Sequence, residues 1–270
     1  MDDPARARPL RAWRGGTFAA ETRTVPGETA IAIDVQGTTQ AVMMATPADL
    51  TDFAYGFARA EGIVSAPGDV TRLDIRPSAL GVTIGLWLAP GLAEAHEARR
   101  RALVGPTGCG LCGVESLEAA APALPRLESA LTATSADIID AMAALRPAQA
   151  LNARTHAVHA AGFVALDRAA QDRSLLLRED VGRHNALDKL CGALLRAGAD
   201  GGEGLVVLSS RVSVEMVQKT VRMGAPILVA VSAPTDLACR TAEAAGLTLV
   251  AVARGEEFEV FTHTERIQAG

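Results

Sequence analysis

The chain has 270 residues, 49% of them hydrophobic and 21% charged, with a formal net charge of −5. That is enough apolar material for one or two globular cores, and the excess of acids removes any overall attraction to nucleic acid or anionic lipid. No apolar run approaches the roughly 20 residues that a membrane span requires. Met1-Asp2-Asp3-Pro4 does not lead into the apolar stretch of a secretion signal, so a cytoplasmic location is expected. Four cysteines in a chain of this length cannot be the disulfide framework of a small secreted domain; in a reducing compartment thiols serve chemistry, metal binding or packing.

Residues 1–16 are rich in Arg and Pro without periodicity and are expected to be a loose arm. TAIAIDV from Thr29, the turn Gln36-Gly37, and TQAVMMA to Ala45 then alternate in the manner of a hairpin with one apolar face. Thr46 is expected to cap a helix, with Pro47 in its first turn and Asp49 at its positive end. Leu50, Phe53, Ala54 and Phe57 supply its apolar stripe, and Gly62 ends it. Strands over 70–76 and 81–88 and a helix around 92–101 complete a small α+β unit, 17–104. Residues 105–134 read as a loop and linker: GPTGCGLCG holds four glycines, too many for the interior of a helix or strand. A helix is predicted from Ser135 through 145, closing before Pro147. Strands over 158–166, 174–177, 205–208, 227–231 and 247–253 then alternate with helices over 184–196, 214–223 and 237–245, and 257–263 reads as an edge strand. This order implies crossovers, a mostly parallel sheet and an α/β core domain over 135–270.

The CxxC pair Cys109 and Cys112 is the sharpest local signal. A sulfur nucleophile acts as thiolate, a Gly-rich loop leaves it reachable by large partners, and Arg99, Arg100 and Arg101 upstream would lower its pKa if they fold nearby. Three chemistries fit the pair. A structural zinc needs four ligands, and the sequence has neither a second CxxC nor a paired His-x3-His. A thioredoxin-like exchanger places its CxxC at a helix start after the first strand of its fold, which position 109 does not match. Persulfide carriage is the third, and the CxxC alone does not choose among them. The zinc-deaminase signature is missing, because it needs Pro directly before its CxxC and Thr107-Gly108 precedes Cys109 here.

Four strand-to-helix or strand-to-turn junctions form the second signal. Arg183, His184 and Asn185 open a helix after a strand, where free N–H groups beside an arginine attract anions; Asp180 and Asn185 would equally serve as plain caps. Ser209, Ser210 and Arg211 leave the next strand, Ser232 the one after, and Arg254-Gly255 the last. Parallel strands would bring these turns to one edge of the sheet, the usual place for a ligand. Cys191 lies on an apolar stripe and reads as a core thiol.

Five ordered blocks carry a resemblance: VMMATPADLTDFAYGFARAEGI (42–63), GCGLCG (108–113), DVGRHNALDK (180–189), SSRVSVEMVQK (209–219) and VSAPTDLACRTAEAAGLTLV (231–250). The chain resembles the FdhD family, sulfur carrier proteins required for formate dehydrogenase activity, over about 29–266. The resemblance implies a cytidine-deaminase-like α/β core without the deaminase zinc site, and a smaller N-terminal α+β domain. It implies a homodimer and a sulfurtransferase role. Sulfur would pass from a cysteine desulfurase to the molybdenum bis(molybdopterin guanine dinucleotide) cofactor before insertion into formate dehydrogenase, with GDP-like nucleotides able to occupy the same site. By position Cys109 matches the persulfide-bearing cysteine and Cys112 the second thiol. The stretch Val252, Ala253, Arg254, Gly255, Glu256 and Glu257 matches a family segment that contacts the cofactor. One departure stands out: the family's Thr-Gly-Gly-x-His is Thr155-His156-Ala157-Val158-His159 here. Two other readings stay open at this point, a cofactor chaperone without sulfur transfer and a CxxC disulfide oxidoreductase.

Overall fold

The computed structural model describes residues 3–103, 124–166 and 174–269. Strands β1 (Ala5–Arg14) and β2 (Thr17–Pro26) pair antiparallel in a sheet of their own, turning at Gly15 and Gly16, both at positive φ. The loose arm expected over 1–16 is thereby corrected, since most of it is strand. No buried face drives this pairing, so no apolar alternation marks it in the sequence; the glycine turn sets the register.

Strands β3 (Thr29–Val35), β4 (Thr38–Ala45), β5 (Val70–Ser78) and β6 (Gly81–Leu88) form a second sheet in the order β4-β3-β6-β5. Ile31, Ile33, Ile84 and Leu86 leave it on one face and meet Leu50, Phe53, Ala54 and Phe57 of helix α1 (Leu50–Ala60) in a dry cluster. The start of α1 differs from expectation. Its N-cap is Asp49, at φ +53 and without a side-chain capping bond. The hydroxyl of Thr46 is engaged elsewhere, accepting the N–H of Val181 at 3.1 Å, 135 residues away. Helix α2 (Pro90–Leu103) follows β6.

After the short strand β7 (Ala133–Thr134), helix α3 (Ser135–Ala148) is opened by a capping box in which Thr134 and Asp137 exchange bonds at 3.2 and 2.8 Å. It runs through Pro147 to Ala148 rather than closing before the proline. Helix α4 (Ala150–Thr155) ends at His156, whose φ of +54 lies in the left-handed region that glycine occupies without strain. That is the first of the two glycine positions where this sequence departs from the family pattern.

The largest sheet has six strands: β8 (His159–Ala165), β9 (Leu175–Asp180), β10 (Gly204–Leu208), β11 (Ile227–Ala230), β12 (Thr248–Arg254) and β13 (Glu257–Val260), in the order β13-β12-β11-β10-β8-β9. Only the pairs β10-β11 and β11-β12 are parallel. The mostly parallel sheet expected from strand–helix alternation is therefore a mixed one, because β8 pairs antiparallel with both β9 and β10, and β13 turns back on β12. Helices α5 (Arg183–Ala197), α6 (Val214–Met223) and α7 (Asp236–Ala245) cover one face and α3 the other. Val206 and Leu208 enter the first layer, Leu205 and Val207 the second, which is why β10 reads as a continuous apolar run. Strand β14 (Ile267–Gln268) pairs with β7. No described helix is long and apolar enough to cross a membrane.

The two larger sheets are joined by a contact that is both tight and polar. Helices α1 and α5 cross at glycines: a Cβ on Gly56 would overlap the carbonyl of Asp188, and one on Gly192 that of Asp52. Beside the crossing, fully buried Lys189 pairs with fully buried Asp180 at 2.6 Å and donates to the Thr46 carbonyl at 2.9 Å. Asp180 also accepts from the N–H groups of Thr46 (3.0 Å) and Gly182 (2.8 Å) and from Asn185 Nδ2 (3.0 Å). Asp52 of α1 accepts from Arg178 Nε at 2.8 Å and from Arg196.

Candidate functional site

Strand β9 is antiparallel to β8, and β8 to β10, so β9 runs in the same direction as β10, β11 and β12. Their C-terminal ends, Asp180, Leu208, Ala230 and Arg254, share one edge of the sheet, where β8 begins at His159. The turns leaving this edge are tied together in a row. Ser209 N–H donates to the Ala160 carbonyl at 3.0 Å while its hydroxyl accepts the Ala160 N–H at 2.8 Å. Val212 N–H donates to the Ala233 carbonyl, and Thr235 N–H to that of Val212 at 3.0 Å. Arg254 Nε donates to the Val231 carbonyl at 3.1 Å.

Helices α5, α6 and α7 all start at this edge, so three N-terminal dipole ends converge on it together with Arg183, Arg211 and Arg254. Two side-chain nitrogens stay without a hydrogen-bond partner among the described residues although their atoms are shielded: Arg183 Nε and His184 Nε2. The nearest carboxylate to His184 is Glu215, 3.9 Å away, which already accepts the Ser213 hydroxyl at 2.6 Å. Burial lowers the pKa of His184, and the positive charges of Arg183, Lys219 and Arg211 lower it further against the opposing pull of Glu215. His159 is lowered by burial and then by Arg183, with Asp180 opposing. Ser213 and Glu215 are drawn into a bond that lowers the Glu215 pKa. The result is a positively polarised edge holding two imidazoles shifted toward the neutral form, suited to an anionic ligand rich in acceptor oxygens.

The edge gathers most of the residues proposed from sequence. Arg183, His184, Ser209, Arg211, Ser232 and Arg254 border it. Ser210 is buried, its hydroxyl donating to the Arg211 carbonyl at 3.0 Å. Asn185 is placed differently, since its amide is used inside the molecule on the Met44 carbonyl (2.9 Å) and Asp180. Val252 and Ala253 form the end of β12, where the pairing with β13 shifts register and Val252 takes a φ of +53. A β-branched residue there is strained, a cost tolerated mostly where the backbone path matters to function. Gly255, at φ +59, turns the chain, and Glu256 and Glu257 are exposed beyond it. His159 joins the edge through the register that sets it opposite Asp180, a pairing that nothing in its local sequence announces. Cys109 and Cys112, with the side chains of Arg99, Arg100 and Arg101, lie outside the described residues. The described chain resumes at Leu124, and Leu127 N–H donates to the Ala245 carbonyl at 2.8 Å. Ala245 closes α7 just before β12 starts, so this anchor is at the opposite edge of the sheet from the cationic turns.

The FdhD/NarQ family profile matches residues 26–268. The chain belongs to the FdhD/NarQ family. A Brucella abortus protein named sulfur carrier protein FdhD is 57% identical over 257 residues, covering 95% of this chain and 94% of that protein. Proteins of the same name from Agrobacterium fabrum and Bordetella petrii are 49% and 43% identical, covering 95% and 98% of this chain and 93% and 95% of their own. A solved structure from Desulfotalea psychrophila, described as a candidate formate dehydrogenase accessory protein, superposes with a TM-score of 0.74. It shares 24% identity, covering 98% of this chain and all of that one, and so shows a common mixed α/β fold. The family blocks divide unevenly over the structure: within 180–189, Asp180, Asn185 and Lys189 build the joint between the sheets, while Arg183 and His184 face the strand-end edge.

Proposed function

We propose that this FdhD/NarQ protein is a sulfur carrier serving formate dehydrogenase, with Cys109 as the carrying thiol and the strand-end edge as the site of the molybdenum bis(molybdopterin guanine dinucleotide) substrate. The observation that carries the reading is identity of 43 to 57% over nearly the whole chain with proteins named sulfur carrier protein FdhD. The convergent helix N-termini and the unpartnered Arg183 and His184 nitrogens support a ligand with several phosphate oxygens.

In this reading the Cys109 thiolate attacks the terminal sulfur of a desulfurase persulfide. That sulfur–sulfur bond breaks, the desulfurase cysteine leaves as thiolate, and Cys109 becomes the persulfide. Attack of the Cys112 thiolate on the Cys109 sulfur then expels the terminal sulfur as sulfide for the molybdenum. Both electrons come from the thiols, which end as a disulfide that a dithiol reductant resets. The test is the intact mass of the protein after incubation with a cysteine desulfurase and cysteine. Cys112→Ala is expected to gain one reducible sulfur atom, wild type to gain it or to end as the Cys109–Cys112 disulfide with sulfide released, and Cys109→Ala to do neither; no change in any variant with an active desulfurase would leave a cofactor chaperone as the better reading.

The edge makes a second prediction, with GDP as probe. Burial and the neighbouring Arg183 hold the His184 pKa below its ordinary value in the free protein, which favours the neutral imidazole. A bound diphosphate favours the imidazolium, so the complex holds a proton that the free protein lacks, and affinity rises as pH falls below neutrality. Calorimetry in buffers of different ionisation enthalpy should show proton uptake that grows as pH falls below neutrality in wild type and is smaller in His184→Asn. Equal uptake in the two proteins would remove His184 from the site.

A further inference from the structure

Strand β9 is an edge of the six-stranded sheet, and its neighbour determines which of its backbone groups are spent. Ala160 of β8 turns both its N–H and its C=O toward Ser209, and so toward β10. Alternate residues of a strand bond to opposite sides, so His159, Ala161 and Phe163 serve β9, where they face Asp180, Arg178 and Leu176. Leu175, Leu177 and Glu179 therefore point their backbone groups away from the sheet. Their three N–H groups have no hydrogen-bond partner among the described residues, and of their carbonyls only that of Leu177 is used, by Arg178 Nη1 at 2.8 Å.

This edge lines a groove of about 570 Å³. One wall is the corner where α3 meets α4, with Ala148, Ala150 and Leu151. Glu179 ties that corner to the strand by accepting the N–H groups of Leu151 and Asn152 at 2.8 Å each. The other wall is the start of α1, with Ala48 and Asp49, and Arg178 is tied to that helix through Asp52. Edge strands are commonly blunted by charge, proline or a covering segment. Here the run Leu175-Leu176-Leu177 is apolar and only half-buried. The charges in the groove are unevenly matched. Glu179 is held by the N–H groups of α4, and Asp49 lies 3.8 Å from Arg178. Arg154 also lines the groove and meets no carboxylate among the described residues.

Three donors at two-residue spacing match the carbonyls of one extended chain, and apolar walls with a spare cation set the side chains it carries. We propose that the groove takes an extended segment of formate dehydrogenase as an added strand beside β9, with an acidic side chain of that segment on Arg154. The proposal rests on the sulfur-carrier reading above and names where the client docks. Position favours the client over the sulfur donor. Strand β9 ends at Asp180, three residues before Arg183 and at the same edge of the sheet as the cationic turns. A segment laid along β9 therefore runs toward the site from which its owner is to receive the cofactor.

The experiment uses the full chain and purified formate dehydrogenase lacking its cofactor. Amide hydrogen exchange at Leu175, Leu177 and Glu179 is followed in the free protein and in the mixture, and affinity is measured for wild type, Arg154→Glu and Ala150→Trp. Both substituted residues are exposed, so neither change disturbs the core, and the tryptophan fills the groove. The three amides are expected to exchange fast in the free protein and to be slowed in the mixture, and the dissociation constant to rise at least about tenfold in each variant. Sulfur loading by a cysteine desulfurase, read by mass, is expected to be equal in all three proteins. Absence of binding, binding that leaves the three amides fast, or an affinity indifferent to both variants overturns the proposal. So does slow exchange in the free protein, which would mean that the edge is already covered. Because loading is read in the same proteins, a wild type that loads sulfur but fails these tests overturns the groove alone, and one that loads none removes the carrier reading and the proposal with it.

Discussion

Gly56→Ala and Gly192→Ala are each expected to destabilise the protein by about 3 kcal/mol, and the pair together to prevent folding of the wild-type arrangement. In isolation either change would favour its helix by about 1 kcal/mol, since alanine gives up less backbone freedom than glycine. The crossing decides the sign. Each added Cβ meets a backbone carbonyl of the facing helix, Asp188 for Gly56 and Asp52 for Gly192, and backbone cannot turn aside as a side-chain tip can. The only relief is to part α1 from α5, which opens the buried layer between the two sheets and pulls Asp52 away from Arg178 and Arg196. Urea unfolding of the single variants measures the effect; a variant more stable than wild type by the helix-propensity gain would show that the helices have room to spare.

Lys189→Met should cost about 3 kcal/mol or more, of the size seen when one partner of a buried ion pair is removed. The methionine fills a similar volume, so little of the loss is packing. What remains is the Asp180 carboxylate, fully buried, with three N–H donors but no cation. The Thr46 carbonyl loses its donor at the same time. The double variant Lys189→Met/Asp180→Asn separates charge from shape: it should be less damaged than the sum of its singles, because it removes the orphaned charge. Strict additivity in the unfolding free energies would mean that the two side chains act independently and that the charge pairing contributes nothing.

Much of the fold was legible because it rests on burial. The alternation in β3 and β4, the stripe Leu50, Phe53, Ala54 and Phe57, and the apolar runs of β10 to β12 each encode a face turned inward, and the structure places them there. The parts that were not legible are those whose cause lies far along the chain or outside the core. Thr46 has every local mark of a helix cap, yet its partner is Val181. Asn185 sits at a helix start like a ligand-binding residue, yet its amide is used on Met44 and Asp180. The β1-β2 hairpin has strands without a buried face, which no hydrophobic period can reveal. In the site, the convergence of Ser209, Ser232 and Arg254 follows from strand direction and was readable; the place of His159 depends on an antiparallel register that the expectation of a parallel sheet hid.

The glycine crossing also bears on the order in which the protein is made. Helix α1 leaves the ribosome early, but the surface against which Gly56 and Asp52 close is supplied by α5, Arg183–Ala197. At about 5–20 residues per second, more than a hundred further residues take several seconds or longer to synthesise. Throughout that interval the nascent N-terminal half leaves the close-packing side of α1 uncovered, with a carboxylate that lacks its arginines. The joint between the two sheets can close only once α5 has been made, so their union is expected to be a late step in folding during synthesis.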